Sequence, residues 1–214
     1  RGRCGRIWDR ECAISHRFCV MFGDGPLTFR EFAMRERVPL ATIQGAVLEF
    51  LRGRGDAAVF GAQAVNAYVD EPRMTQDVDI LSTRAAELAE ELRTYLHKRF
   101  QMAVRVRSVA QGAGYRLYQV RKPKNRHLVD VRSVKEMPAC NRLRKVLILA
   151  PAQLIGHKIL SMIGRPKTPK GLMDAADLRR LLLTFPELKA EEGSVVQALR
   201  RRDATGAAFD AGAS

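Results

Sequence analysis

Apolar residues recur along this chain with two distinct periods, and the points where the period changes divide it into elements. Leu40, Ile43, Val47, Leu48 and Leu51 fall at helical spacing between Leu40 and Arg52 and stop before Gly53 and Gly55, which predicts a helix. Ala57-Ala58-Val59-Phe60 is a short apolar run ending at Gly61, and Ala62 to Val69 reads as a helix, so the chain goes strand, glycine turn, helix. Asp70-Glu71-Pro72-Arg73 stops that helix, and Val78 to Leu81 is extended again. Between Thr83 and Phe100, Leu88, Leu92, Leu96 and Phe100 lie four apart with Glu and Arg between them, an amphipathic helix fit to cover a sheet.

Three runs of alternating or β-branched character follow: Ala103 to Val109, Tyr115 to Val120 and Leu128 to Val131. Gly112, Gly114 and Lys122-Pro123-Lys124-Asn125 separate them, so they predict an antiparallel continuation of the sheet. After the run Val146 to Leu149, Pro151 opens a helix reaching Ile163, which Gly164 and Pro166 end. Leu172 to Leu183 and Glu187 to Arg200 read as further helices, and there is no internal repeat. The pattern predicts an α+β fold: a small mixed β-sheet flanked by helices, with a helical C-terminal part. Residues 26–150 form the expected core, 151–204 the helical region and 205–214 a loose tail. Residues 1–25, Arg-rich and without a clear period, read as an extension outside the fold, with Met21 and Met34 as alternative starts.

Length and charge narrow the class. A chain of 214 residues can bury a full hydrophobic core. Lys and Arg outnumber Asp and Glu 37 to 23, a net +14 with pI near 10.3, which favours an anionic partner. The excess is concentrated: between Arg121 and Lys170 thirteen Lys or Arg face only Asp130 and Glu136, a net +11. Two readings of that stretch stand, a solvated face and a groove for RNA or a triphosphate. Cys4, Cys12, Cys19 and Cys140 have no metal-ligand spacing, which argues against a zinc ribbon or disulfide scaffold. The apolar runs are too short to cross a bilayer, so the expectation is a soluble, cytoplasmic protein without a membrane partner.

The candidate chemistry lies in two neighbouring stretches. A glycine at a strand end lets backbone approach phosphate oxygens, and the next helix offers free N–H groups, so Gly61-Ala62 suits a phosphate cradle. Asp77 and Asp79, two apart on an apolar strand, share a face and can hold one or two Mg²⁺, or Mn²⁺, bridging nucleotide phosphates. Two like charges so close resist burial unless a cation neutralises them.

Phe60-Gly61-Ala62-Gln63-Ala64-Val65-Asn66-Ala67-Tyr68, with Arg73-Met74-Thr75-Gln76-Asp77-Val78-Asp79-Ile80-Leu81, resembles the signature of the polymerase-β-like nucleotidyltransferase superfamily. More narrowly it is similar to the AbiEii-type minimal nucleotidyltransferases, toxins of bacterial toxin–antitoxin systems. The resemblance spans Leu40 to Leu183 and is most specific between Phe60 and Leu81. One departure stands out: the turn usually reads Gly-Ser or Gly-Gly, so Ala62 removes a hydroxyl while keeping the backbone N–H groups.

The resemblance implies NMP transfer from an NTP such as ATP to an acceptor hydroxyl. Asp77 and Asp79 match the metal pair and Arg73 the basic residue before it. Thr75, two before Asp77, should share the carboxylate face, as a nucleotide contact or as β-branched filler. Asp130 stands where many members keep a third carboxylate, the candidate base. Lys158 matches a lysine directed at the phosphates, with a solvated helix lysine as its plain alternative. Arg165-Pro166-Lys167 and Asp174-Ala175-Ala176-Asp177-Leu178 resemble the segment that follows, with Asp174 favoured for the site over Asp177. His127 and His157 lack ligand partners at useful spacing and read as structural. The +11 stretch makes RNA, such as a tRNA 3′ end, the expected acceptor, and the resemblance implies a cognate antitoxin as protein partner. The alternatives are a small-molecule or protein hydroxyl as acceptor, or an inactive nucleotide- or antitoxin-binding module.

Overall fold

The computed structural model describes residues 38–189 and 193–204, so the expectations for residues 1–25, for the 205–214 tail and for Cys4, Cys12 and Cys19 lie outside the described residues. Helix α1 (Leu40–Phe50) precedes strand β1 (Ala57–Phe60), and helix α2 (Gly61–Asn66) follows β1 without a gap. Strand β2 (Val78–Ser82), helix α3 (Ala85–Phe100) and strands β3 (Val104–Val109), β4 (Gly114–Gln119) and β5 (Arg126–Ser133) come next. Strands β6 (Cys140–Leu143) and β7 (Val146–Leu149) then lead into helices α4 (Pro151–Gly164), α5 (Pro169–Thr184) and α6 (Ser194–Ala204).

The strands form one seven-stranded sheet in the order β3-β4-β5-β2-β1-β7-β6. β3, β4 and β5 are antiparallel neighbours, as their sequence predicts, whereas β2 runs parallel to β5 and β1 parallel to β7. The sheet is therefore mixed and the fold α+β, in agreement with the hydrophobic pattern. Val78 and Ile80 on β2 pair with Val129 and Val131 on β5, and all four are fully buried. They face the side covered by α1 and α3, whose Leu88, Leu92 and Leu96 are equally buried. Each such leucine contributes about 2–3 kcal/mol of burial. Because strand side chains alternate, Asp79 and Asp130 project from the opposite face. Among the described residues, no helix is long and apolar enough to cross a membrane.

Three elements differ from the periodicity. The stretch expected as one helix from Glu187 to Arg200 holds a 3-10 turn at Pro186–Lys189 and helix α6 from Ser194. Helix α2 ends at Asn66 rather than Val69, because the Asn66 side chain turns out to brace the next loop: its Nδ2 donates to the Arg73 carbonyl at 2.7 Å and its Oδ1 accepts from the Arg73 N–H at 3.0 Å. Strand β6 carries no apolar run and pairs with β7 across Arg144 and Lys145, both at positive φ without the usual Asn or Gly.

Candidate active site

The geometry starts from the register of three strands. Asp79 on β2 pairs with Phe60 on β1 and with Asp130 on β5, while Asp77 lies in the bend just before β2. The three carboxylates thus gather at one end of β2. Burial first, then the charges of Asp77 and Asp130, push the half-buried Asp79 carboxyl up to about 7, against the opposing pull of Arg132 and Lys170. Among the described residues no group of three or more His, Cys, Asp or Glu forms a preformed metal cage. The donor chemistry nonetheless fits a hard divalent cation: the groups offered are carboxylate oxygens, and their mutual repulsion is what such an ion relieves.

Gly61 is built around Asp79. Its φ of +69° lies in the left-handed region, and a methyl placed on it would overlap Asp79 Oδ2 and sit 2.7 Å from Asp79 Cγ. The glycine therefore does more than open a path for phosphate, because it also leaves room for the carboxylate. Ala62 is buried in the first turn of α2. Gly61→Ala is expected to cost about 1–2 kcal/mol from the backbone alone and to displace Asp79, so activity should fall more than stability. Unchanged activity in that variant would contradict this placement.

His127 joins the site, and its spacing in sequence does not show it. Between Leu117 and Tyr118 the β4–β5 register shifts by a residue, so Leu117 pairs with Val129 and Tyr118 with His127. This bulge buries Leu128 and places His127 on the carboxylate face, with its Nδ1 3.2 Å from Asp77 Oδ2 and its ring 5.0 Å from that of Tyr118. Its Nε2 lies 3.1 Å from the Val129 carbonyl. Both partners only accept, so the ring donates to them from whichever nitrogen bears hydrogen. Burial on its own would raise the Asp77 carboxyl, but the hydrogen bond and charge of His127, with Lys170, hold it below its ordinary value. Lys170 is exposed in the first turn of α5.

Lys158 lies in another setting. Only 5% exposed, it donates from Nζ to Asp174 Oδ1 at 2.7 Å and to Asp177 Oδ2 at 2.8 Å. Arg73 clasps the same Asp177 with two bonds of 2.8 Å, and Arg165 reaches Asp174 Oδ2 at 3.3 Å. Arg73, Asp177, Lys158, Asp174 and Arg165 thus form a chain of alternating charge that ties the loop before Asp77 to α4 and α5. The structure brings Asp174 and Asp177 equally to Lys158, and the solvated-lysine alternative does not describe so buried a group. Thr75 stands in the loop before β2, where its hydroxyl donates to the Asp77 carbonyl at 2.9 Å and its carbonyl accepts from Gln44 Nε2 at 3.0 Å. Asp130, 7% exposed, has Arg116 Nε 3.7 Å away.

This network predicts acid lability. Burial would raise Asp177, yet Arg73 and Lys158 hold it below its ordinary 3.8. A carboxyl lowered by folding contributes stability that is present above its ordinary value and lost as pH falls through the folded-state value. Melting temperatures should hold or rise from pH 7 to about 5, where Asp79 takes up its proton, and drop below about pH 4, with a smaller drop in Asp177→Asn. Melts that stay flat down to pH 3 would contradict it.

No protein-family model matches the sequence, and no curated protein does. Solved structures do. The polyadenylate synthase of Megavirus superposes with a TM-score of 0.56 at 12% identity, covering 90% of this chain and 41% of the viral one. The chain shares its fold, a mixed sheet flanked by helices, with the matched part of that enzyme. JHP933 from Helicobacter pylori superposes with a TM-score of 0.53 at 13% identity, over 76% of this chain and 70% of that one. The chain thus spans less than half the length of the viral enzyme.

Proposed function

We propose that the chain is a divalent-metal-dependent nucleotidyltransferase that moves an NMP from an NTP to the hydroxyl of an RNA acceptor. The observation that carries this reading is the meeting of Asp77, Asp79 and Asp130 on the face of the sheet away from α1 and α3, beside a glycine with no room for a side chain. The shared fold supports it, and the motif resemblance between Phe60 and Leu81 carries the narrower role, the toxin of a toxin–antitoxin pair held in check by a cognate antitoxin.

When bound by Asp77 and Asp79, Mg²⁺ or Mn²⁺ would neutralise the triphosphate and polarise the α-phosphorus. The chain's own residues orient and exchange protons. The Gly61-Ala62 backbone is the surface the phosphates meet, and Asp130 takes the proton of the attacking hydroxyl as pyrophosphate leaves. His127 fixes the carboxylate of Asp77. Lys170, exposed and close enough in charge to act on both Asp77 and Asp79, is placed to answer charge on the departing pyrophosphate. Lys158, Arg73 and Asp174 serve by fixing α5, and with it Lys170, against the loop before Asp77.

The test is transfer from each α-labelled NTP, with Mg²⁺, to total RNA, to small hydroxyl compounds and to protein. Label in RNA supports the proposal, and label confined to small molecules or protein moves the acceptor. The missing hydroxyl at Ala62 favours one rival, a nucleotide-binding module without turnover. Mg²⁺-dependent NTP binding with no labelled product would select it.

A further inference from the structure

Two rows of side chains run outward from the carboxylates across the sheet face opposite α3. In the first, the register sets Asp79 beside Asp130, Asp130 beside Arg116, and Arg116 beside Arg107 on the edge strand β3. In the second, Asp77 meets His127, His127 lies against Tyr118, and Tyr118 is paired with Arg105. Neighbouring strands are about 4.8 Å apart, so each row passes from β5 to an edge arginine within about 10 Å.

A guarded sheet edge is the plain explanation of charge on β3, and lysine is its usual residue. Three features go beyond that. The edge residues are arginines, whose planar fork matches phosphate. They are exposed and have no ion-pair partner among the described residues. They also align strand by strand with the carboxylates, and the second row interposes the rings of His127 and Tyr118.

We propose that this double row is the binding track for a single-stranded polynucleotide. Arg105 and Arg107 hold phosphates at the sheet edge, the Tyr118 ring presents a face to an unpaired base, and Arg116 carries the strand inward. An unpaired strand is favoured over a duplex because ring stacking needs bases free of a partner. Only the last step, a terminal hydroxyl arriving at Asp130, rests on the nucleotidyl-transfer reading.

The experiment is binding of a fluorescent twelve-nucleotide RNA single strand to the full chain, titrated across salt concentrations. Arg105→Gln/Arg107→Gln is expected to weaken binding on the order of tenfold and to reduce the slope of log K against log salt by about 1.4, or 0.7 per phosphate contact. Tyr118→Leu is expected to weaken it on the order of tenfold with the slope unchanged. Melting temperature should hold in both, and NTP binding in the double arginine variant. Wild-type affinity and slope in the double variant, no single-strand binding by the wild type, or equal binding of a duplex would each overturn the track. Strand binding lost in the variants while the wild type transfers no nucleotide would uphold the track and remove the transfer reading. Transfer to RNA with strand binding unaltered in the double variant would do the reverse.

Discussion

Asp79→Asn is expected to lose nucleotidyl transfer on the order of a thousandfold, since electrostatic help from a carboxylate-held metal amounts to several kcal/mol and each ~1.4 kcal/mol is tenfold in rate. The same change should leave the fold at least as stable as before. Asparagine fills the space beside Gly61, keeps its place in β2, and removes a charge that burial and the charges of Asp77 and Asp130 oppose. Carboxylates kept in such company are the kind of destabilising feature that functional sites retain. The pairing of lost activity with an unchanged or higher melting temperature separates a functional carboxylate from a structural one. A variant that loses stability and keeps its turnover per folded molecule would assign Asp79 to the fold.

Lys158→Met is expected to do the opposite, acting first on stability. Removing one partner of a buried ion pair costs about 3–5 kcal/mol because the other charge stays buried. Here the lower end applies, since Arg73, Arg165 and Arg180 still reach the two carboxylates. A loss of about 3 kcal/mol corresponds to a fall of roughly 6–12 °C in melting temperature for a domain of this size. Adding Asp174→Asn should recover part of it, because one buried charge then disappears with its partner. A lysine that reached the triphosphate from a solvated helix face would behave differently: Lys158→Met would melt like the wild type and raise KM for the NTP.

Much of the architecture follows from periodicity because the strong elements are those with one buried face. Strand β1 has the predicted limits, and α1, α3, α4 and α5 lie within a few residues of theirs, since each buries leucines or isoleucines on one face. Strand β6 has no such face: Cys140–Leu143 is mostly polar, and it pairs because β7 offers it an edge. Asp77 and Asp79 could be picked out in sequence because a pair of acids beside an apolar run stands out, and Asp130 through the resemblance. His127 could not, since its place depends on a single-residue bulge that turns it from the face strict alternation would give it. The burial of Lys158 was equally hidden. Whether a helix lysine meets solvent, phosphate or carboxylates depends on how α4 packs on α5, and that is set by tertiary contacts.

Nucleotidyl transfer itself is the decisive property. The measurement that tests it most directly incubates the full chain, as wild type and as Asp79→Asn, with each of the four α-labelled NTPs, Mg²⁺ or Mn²⁺ and total cellular RNA, and follows the label. Label is expected in the RNA fraction with the wild type and not with Asp79→Asn of equal melting temperature. Equal labelling by the two proteins, or no labelled product from the wild type with any NTP and either metal, would contradict it.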